Sequence, residues 1–393
     1  MPGRKPLLRK THVTTDRPPF ERIALVLQGG GALGAYQGGV YQALAEANLH
    51  PDWVAGISIG AINSALIAGN SPERRVERLR EFWETVSTSP LGIPYFPWLK
   101  LEDEFAHTMF NQLRSSFILF FGASGFFKAR LPPPYFYASL SPEAMSYYDV
   151  APLKTTLERL VDFDLINAGA IRFSVGAVNI RSGNFVYFDN ATHQIGPEHV
   201  MASGSLPSGF PATELEGECY WDGGLVANTP VQWVLDSSPR QDTLAFQVDL
   251  WSARGELPRN LIDIELRQKE IRFSSRTRAA TDQFKQMQLA RRTVAKFLEK
   301  LPKDLLQTPE AELLAEQADE KVYNLIQLIY QAKNYEGCSK DYEFSRRTME
   351  EHWKSGYSDA VRTLRHPEVL QRPDGADGVF TFDLAQQDRG SAA

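Results

Sequence analysis

Two cysteines, Cys219 and Cys338, are all that the 393 residues contain. One pair builds no disulfide framework and matches no metal-binding spacing, so a reducing compartment is the default. A long apolar run is missing too. The most apolar stretch, Phe117 to Phe127, is shorter than the roughly 20 residues that span a bilayer. Neither charge sign dominates: 42 Lys and Arg stand against 48 Asp and Glu, a net charge of -6. That balance gives no general attraction to nucleic acid. The N-terminus carries Arg4, Lys5, Arg9 and Lys10 but no apolar core behind them, so it does not read as a signal peptide. These absences point to a soluble cytoplasmic enzyme and leave peripheral visits to the inner membrane face open. What is present is enough for a sizeable core: 43% of the residues are hydrophobic, in one large domain or two smaller ones.

Residues 1–20 are basic and hold four prolines, which reads as a mobile arm. The text changes at Ile23-Ala24-Leu25-Val26-Leu27, an unbroken apolar run ended by glycines. Such a run fits a strand buried on both faces of a parallel sheet. Ala35 to Leu49 follows with helical spacing, Val40, Leu44 and Ala47 sharing a face. Trp53 to Gly56 reads as a second strand and Ala61 to Ala68 as a helix of small residues. Strand, turn, helix repeated twice predicts an α/β fold with a parallel sheet. Residues 88–140, rich in aromatics and prolines, read as loops and short helices. Strand patterns return at Ile171–Val178, Asn184–Phe188 and Leu244–Leu250. Beyond about 258 the pattern is helical, from Leu266 through Leu298, then over roughly 310–333 and 341–365. The last stretch, ending Arg389-Gly390-Ser391-Ala392-Ala393, reads as disordered.

Gly29-Gly30-Gly31-Ala32-Leu33-Gly34 lies between the first strand and the first helix. Backbone amides in such a loop approach an anion closely, and the helix behind adds its positive end. The spacing formally satisfies G-x-G-x-x-G, so a pyrophosphate is one candidate ligand. A dinucleotide site, however, needs an acid closing the second strand. Asp52 stands before that strand, and Gly56-Ile57-Ser58 occupies its end. No Lys-Ser/Thr follows the glycines, which excludes a P-loop. The other candidate is the oxyanion of an acyl-transfer intermediate.

Gly56-Ile57-Ser58-Ile59-Gly60 is a G-x-S-x-G joining a strand to a helix, as a nucleophile elbow requires. Taken alone, Ser58 reads equally well as a helix N-cap. A glycine loop one unit upstream favours the nucleophile. A serine nucleophile needs a base. A triad usually places its His in a loop late in the fold; of seven histidines, His193 and His199 fall late in the sheet-bearing region, and both read better as surface or capping residues. Asp222-Gly223-Gly224 is the better candidate base, although in isolation it reads as an ordinary Asp-Gly turn.

Together these pieces resemble the patatin-like phospholipase family, whose order is a glycine-rich oxyanion loop, a G-x-S-x-G elbow and a distant Asp-Gly-Gly. The tract Ala202-Ser203-Gly204-Ser205-Leu206-Pro207 also looks like the loop preceding that family's catalytic Asp. The likeness covers about residues 22–235. It implies a three-layer α/β fold with a mostly parallel central sheet. It also implies a Ser-Asp dyad without His, acting on lipid acyl esters without metal or cofactor. Ser58 carries over as nucleophile, Asp222 as base, and the amides of Gly29, Gly30 and Gly31 as oxyanion donors. The family loop usually has Arg or Lys where this chain has Leu33. The expected organisation is a disordered basic arm at 1–20, the acyl hydrolase domain at 21–255, a helical C-terminal extension at 256–372 and a flexible tail at 373–393. Residues 267–300 hold ten basic side chains, read as a solvated face or as transient attraction to an anionic membrane surface. The runner-up is a catalytically weak or inactive lipid-binding or scaffold protein on the same fold. The sequence specifies neither the lipid nor an oligomeric state.

Overall fold

The computed structural model describes residues 8–88, 115–136, 141, 145–274, 277–332 and 334–384. The apolar run after Phe20 becomes β1 (Arg22–Leu27), with all six residues buried, as a central parallel strand demands. The chain then forms α1 (Ala35–Glu46), β2 (Trp53–Gly56), α2 (Ile59–Ala68) and α3 (Pro72–Val86). β2 is likewise buried throughout. A short antiparallel pair, β3 (Lys128–Ala129) with β4 (Tyr148–Asp149), stands apart from the main sheet. Next come β5 (Arg172–Asn179), β6 (Phe185–Asp189), β7 (Thr213–Leu215), β8 (Glu218–Asp222) and β9 (Thr243–Asp249).

The described residues form a nine-stranded sheet ordered β11-β10-β9-β1-β2-β5-β8-β7, with β6 paired to β5. β10 is Tyr323–Ile329 and β11 is Val379–Asp383. Pairings from β11 across to β5 are parallel; β6, β7 and β8 join antiparallel. Alternate residues of β1 enter different cores: Ile23, Leu25 and Leu27 pack on one face, Ala24 and Val26 on the other. This is the mostly parallel α/β sheet, covered by helices on both faces, that the sequence pattern predicts.

Three expectations are corrected. The helix over 310–333 is a helix only at Pro309–Gln317; the rest supplies β10, paired with β9 along all seven residues. The segment read as a helical extension therefore also completes the sheet. Val379 and Phe382, expected in a flexible tail, are buried in β11. The arm, described from residue 8, lacks regular structure but is tied down. Arg9 N–H donates to Arg365 O at 2.7 Å, and the Thr14 hydroxyl to Ala47 O at 2.7 Å. The aromatic stretch at 88–140 lies partly outside the described residues. Within it, 115–121 is helical, with Phe120 exposed and Phe126 and Phe127 buried.

Candidate active site

Parallel strands end together, so the loops that follow β1 and β2 meet at one edge of the sheet. β8 runs the other way relative to β5, yet its last residue, Asp222, pairs with Ala177 near the β5 C-terminus. The glycine loop, Ser58 and Asp222 are thereby gathered at the same edge. All three line one cavity of about 210 Å³.

Ser58 sits on the turn between β2 and α2 with φ 55° and ψ −123°, a conformation that non-glycine residues rarely hold. Room for that turn comes from Gly60, where a Cβ would stand 2.2 Å from Leu27 O. The N-cap reading is not met: the Ser58 side chain makes no capping bond. Its hydroxyl instead faces the Asp222 carboxylate, close enough to favour that group's charged form. The Ser58 amide is held from below. It donates to Ser203 Oγ at 3.0 Å, and that hydroxyl donates to Gly176 O of β5 at 2.7 Å.

Asp222 is only 2% exposed. Burial pushes its carboxyl up to about 6, against the lowering effect of the nearby Ser58 hydroxyl and of the Gly224 amide. The Gly224 N–H reaches Oδ1 at 2.7 Å, and the Asp222 amide donates to Ser205 O at 3.0 Å. The tract Ala202–Pro207 thus touches both candidate residues, Ser203 behind the serine and Ser205 behind the acid. Sequence reading singled out the tract but gave Ser203 no task.

The glycine loop is clamped at both ends. The Gly29 amide donates to Asn228 O at 3.2 Å, and Asn228 Nδ2 donates to Gly29 O at 3.0 Å. Gly29 departs here from the expectation that all three glycine amides face an oxyanion, because its N–H is already engaged. At the far end the Ala32 amide donates to Asp341 O at 2.8 Å. Between them, the Gly30 and Gly31 amides make no hydrogen bond among the described residues. Gly31 has φ +56°, and a Cβ there would lie 2.0 Å from Asp341 O, so only glycine fits. Leu33 is fully buried in the core, so the position that usually bears a cation points away from solvent.

Two further anchors carried no sequence signal. Gln28, fully buried, accepts the amides of Leu250 and Trp251 on Oε1 at 2.6 and 2.8 Å and locks the end of β1 to the end of β9. Asn228 also reaches Phe273 O at 2.7 Å. Neither His193 nor His199 lines the cavity. His193 Nδ1 lies 2.9 Å from Thr192 Oγ1, and His199 Nδ1 accepts the Gly196 amide at 3.0 Å, a capping contact. Away from the serine the cavity wall is apolar, with Ile62, Phe127, Leu153, Phe210 and Phe344 among its residues. No group of three or more metal-ligating side chains occurs among the described residues.

Residues 25–235 match the model for "Patatin-like phospholipase", and residues 271–376 match a second model described as "Patatin phospholipase". The first match covers more than half of the chain. The chain belongs to the patatin-like phospholipase family. Patatin-like phospholipase domain-containing protein 6 of Homo sapiens is 49% identical over 70 residues, 18% of this chain. Protein 7 of that name from Rattus norvegicus is 42% identical over 67 residues, 17% of this chain. The chain spans about 5% of the length of each of these curated relatives. Among solved structures, VipD from Legionella pneumophila aligns over all of this chain and 78% of its own, at 15% identity and a TM-score of 0.39. ExoU of Pseudomonas aeruginosa, solved with SpcU, aligns over 65% of this chain and 50% of its own, at 18% identity and a TM-score of 0.30. Likenesses this distant add nothing to the fold read from the strands. Within the patatin-like family match fall the glycine loop, Ser58 and Asp222. The second model covers β10, the Arg346–Leu364 helix and the residues that meet Ala32. No helix among the described residues is long and apolar enough to cross a membrane.

Proposed function

We propose that this patatin-like protein hydrolyses carboxylic esters of lipids through a Ser58–Asp222 dyad and an acyl-enzyme intermediate. The observation that carries the reading is a buried carboxylate, Asp222, facing the Ser58 hydroxyl across the same cavity as the glycine loop. With its carboxyl near 6, Asp222 is mostly ionised at neutral pH and basic enough to accept a proton. Ser58 Oγ attacks the ester carbonyl carbon and its proton passes to Asp222. The oxyanion meets the amides of Gly30 and Gly31. Collapse breaks the bond to the leaving alcohol, which takes the proton from Asp222. Water then attacks the acyl-enzyme, Asp222 accepting its proton and returning it to Ser58. An apolar wall beside the serine suits an acyl chain and excludes competing water.

Ser58→Ala is the test of the reading. The variant should fold normally and lose hydrolysis of a short chromogenic ester, while a fluorophosphonate labels the wild type at Ser58 alone. Full activity in Ser58→Ala, or a wild type that neither hydrolyses esters nor takes the label, leaves the lipid-binding scaffold as the reading.

A further inference from the structure

The loop at 340–344 and the helix Leu261–Phe273 lie outside the segment that bears the serine and the acid, yet Asp341, Tyr342, Phe344 and Phe273 line the same cavity. Asp341 stands closest to the glycine loop. Its carbonyl accepts the Ala32 amide at 2.8 Å and leaves Gly31 no space for a side chain. That bond fixes the plane of the Gly31–Ala32 peptide, and through Gly31 the direction of the amide before it. The Asp341 side chain fixes the carbonyl in turn. Both its oxygens lie 3.0 Å from Lys269 Nζ. One residue along on each segment the charges are reversed: Lys340 Nζ donates to Glu270 Oε1 at 2.8 Å, with the Lys340 side chain 3% exposed. Two adjacent ion pairs of opposite polarity therefore lock loop to helix in one register, since a slip by one residue would oppose like charges. Lys340 also lies 5.0 Å from the centre of the Trp251 ring, whose amide is held by Gln28 at the end of β1. At the same residue, His352 Nδ1 lies 3.4 Å from Ala32 O.

Resting on the dyad reading, we propose that Lys269 and Asp341 are positioning residues of the active site. Their ion pair holds the Asp341 carbonyl against the glycine loop and so aims the Gly30 and Gly31 amides at the oxyanion. The C-terminal part of the chain is then a component of the catalytic centre. Both oxygens of the Asp341 side chain are engaged by Lys269, so the effect should fall on the transition state, where the oxyanion forms, and not on ester binding.

Lys269→Met, Asp341→Asn, the double variant and Lys269→Arg test this. With a short chromogenic ester, each single variant should lose kcat by about ten- to a hundred-fold at a KM within about two-fold of wild type. The double variant should be no worse than either single one, because both remove the same link. Lys269→Arg should keep most of the rate. Hydrogen exchange of the peptide covering 29–34 should quicken in Lys269→Met while thermal stability changes little. Wild-type kcat in Lys269→Met beside a dead Ser58→Ala would overturn the inference and leave the dyad standing. Unchanged exchange at 29–34 would overturn it whatever the activity. A rate loss that simply follows a fall in the folded fraction, with Lys269→Arg as poor as Lys269→Met, would make the pair structural only. An inactive wild type would sink the dyad reading and this inference together.

Discussion

A buried carboxylate that must be charged to work opposes the fold that holds it. The ordinary value for Asp222 is 3.8, and burial raises it to about 6. Between those values the native state holds a proton that the unfolded chain has released, so stability falls as pH rises through the window. Two units correspond to roughly 3 kcal/mol at most, reached above pH 6. Asp222→Asn should therefore raise the melting temperature at pH 8, with the gap narrowing towards pH 5. A variant less stable than wild type at pH 8 would contradict this. Activity moves the opposite way with pH: kcat/KM should fall on the acid side with a midpoint near 6. Ser58 and Asp222 were legible in the sequence because each sits in a short motif with fixed neighbours. Ser203, Gln28 and Asn228 were not, since each works by one side chain reaching the backbone of a segment far away in sequence. Such contacts have no spacing to detect. Ser203→Ala should remove the support of the Ser58 amide, leaving that half-buried N–H unpaired at a cost of about 1–3 kcal/mol. A fall in melting temperature together with a slower rate is expected; wild-type values for both would show that the amide finds another partner.

At the scale of elements, the two β-α units that carry the site were readable because a strand buried on both faces is apolar throughout. β10 was misread for a physical reason. Tyr323, Leu325, Ile326, Leu328 and Ile329 lie at spacings that satisfy a helix face as well as a buried strand, and periodicity alone does not separate the two. β7 and β8 lay in a stretch of Glu, Gly and Cys whose weak alternation reflects half-buried positions near the sheet edge. The glycine loop was legible as a loop, but its two clamps were not, because Asn228 and Asp341 come from distant segments. Gly31→Ala is expected to fail through the second clamp: its Cβ would strike Asp341 O and hold a strained φ. A kcat loss on the order of 10²-fold is expected if one oxyanion donor is misdirected. A folded Gly31→Ala at wild-type rate would remove this loop from the mechanism.

Across the whole molecule, the domain boundary expected near 255 runs through one continuous sheet. β10 covers the edge of β9 over seven residues, and β11 covers β10 over five. The Arg346–Leu364 helix packs on α1, where Trp353 Nε1 donates to Gln42 Oε1 at 2.7 Å and the Tyr36 hydroxyl to Asp359 at 3.0 Å. A chain ending at residue 255 would expose the whole β9 edge and one face of α1, and it should aggregate. Recovery of a soluble, cooperatively melting 1–255 fragment would argue for two separable domains. The basic residues of 267–300 are partly engaged inside this assembly, Arg267 with Glu270, Lys269 with Asp341 and Arg291 with Asp236. Attraction to anionic vesicles should accordingly be weak and vanish at moderate salt; strong binding that survives salt would contradict it. The dyad itself is tested most directly by the rate at which a fluorophosphonate labels Ser58 in Asp222→Asn, followed by intact mass. The rate should drop on the order of 10³-fold, while His193→Ala and His199→Ala label as fast as wild type. Undiminished labelling in Asp222→Asn, or a loss on removing either histidine, would show that Asp222 is not the base.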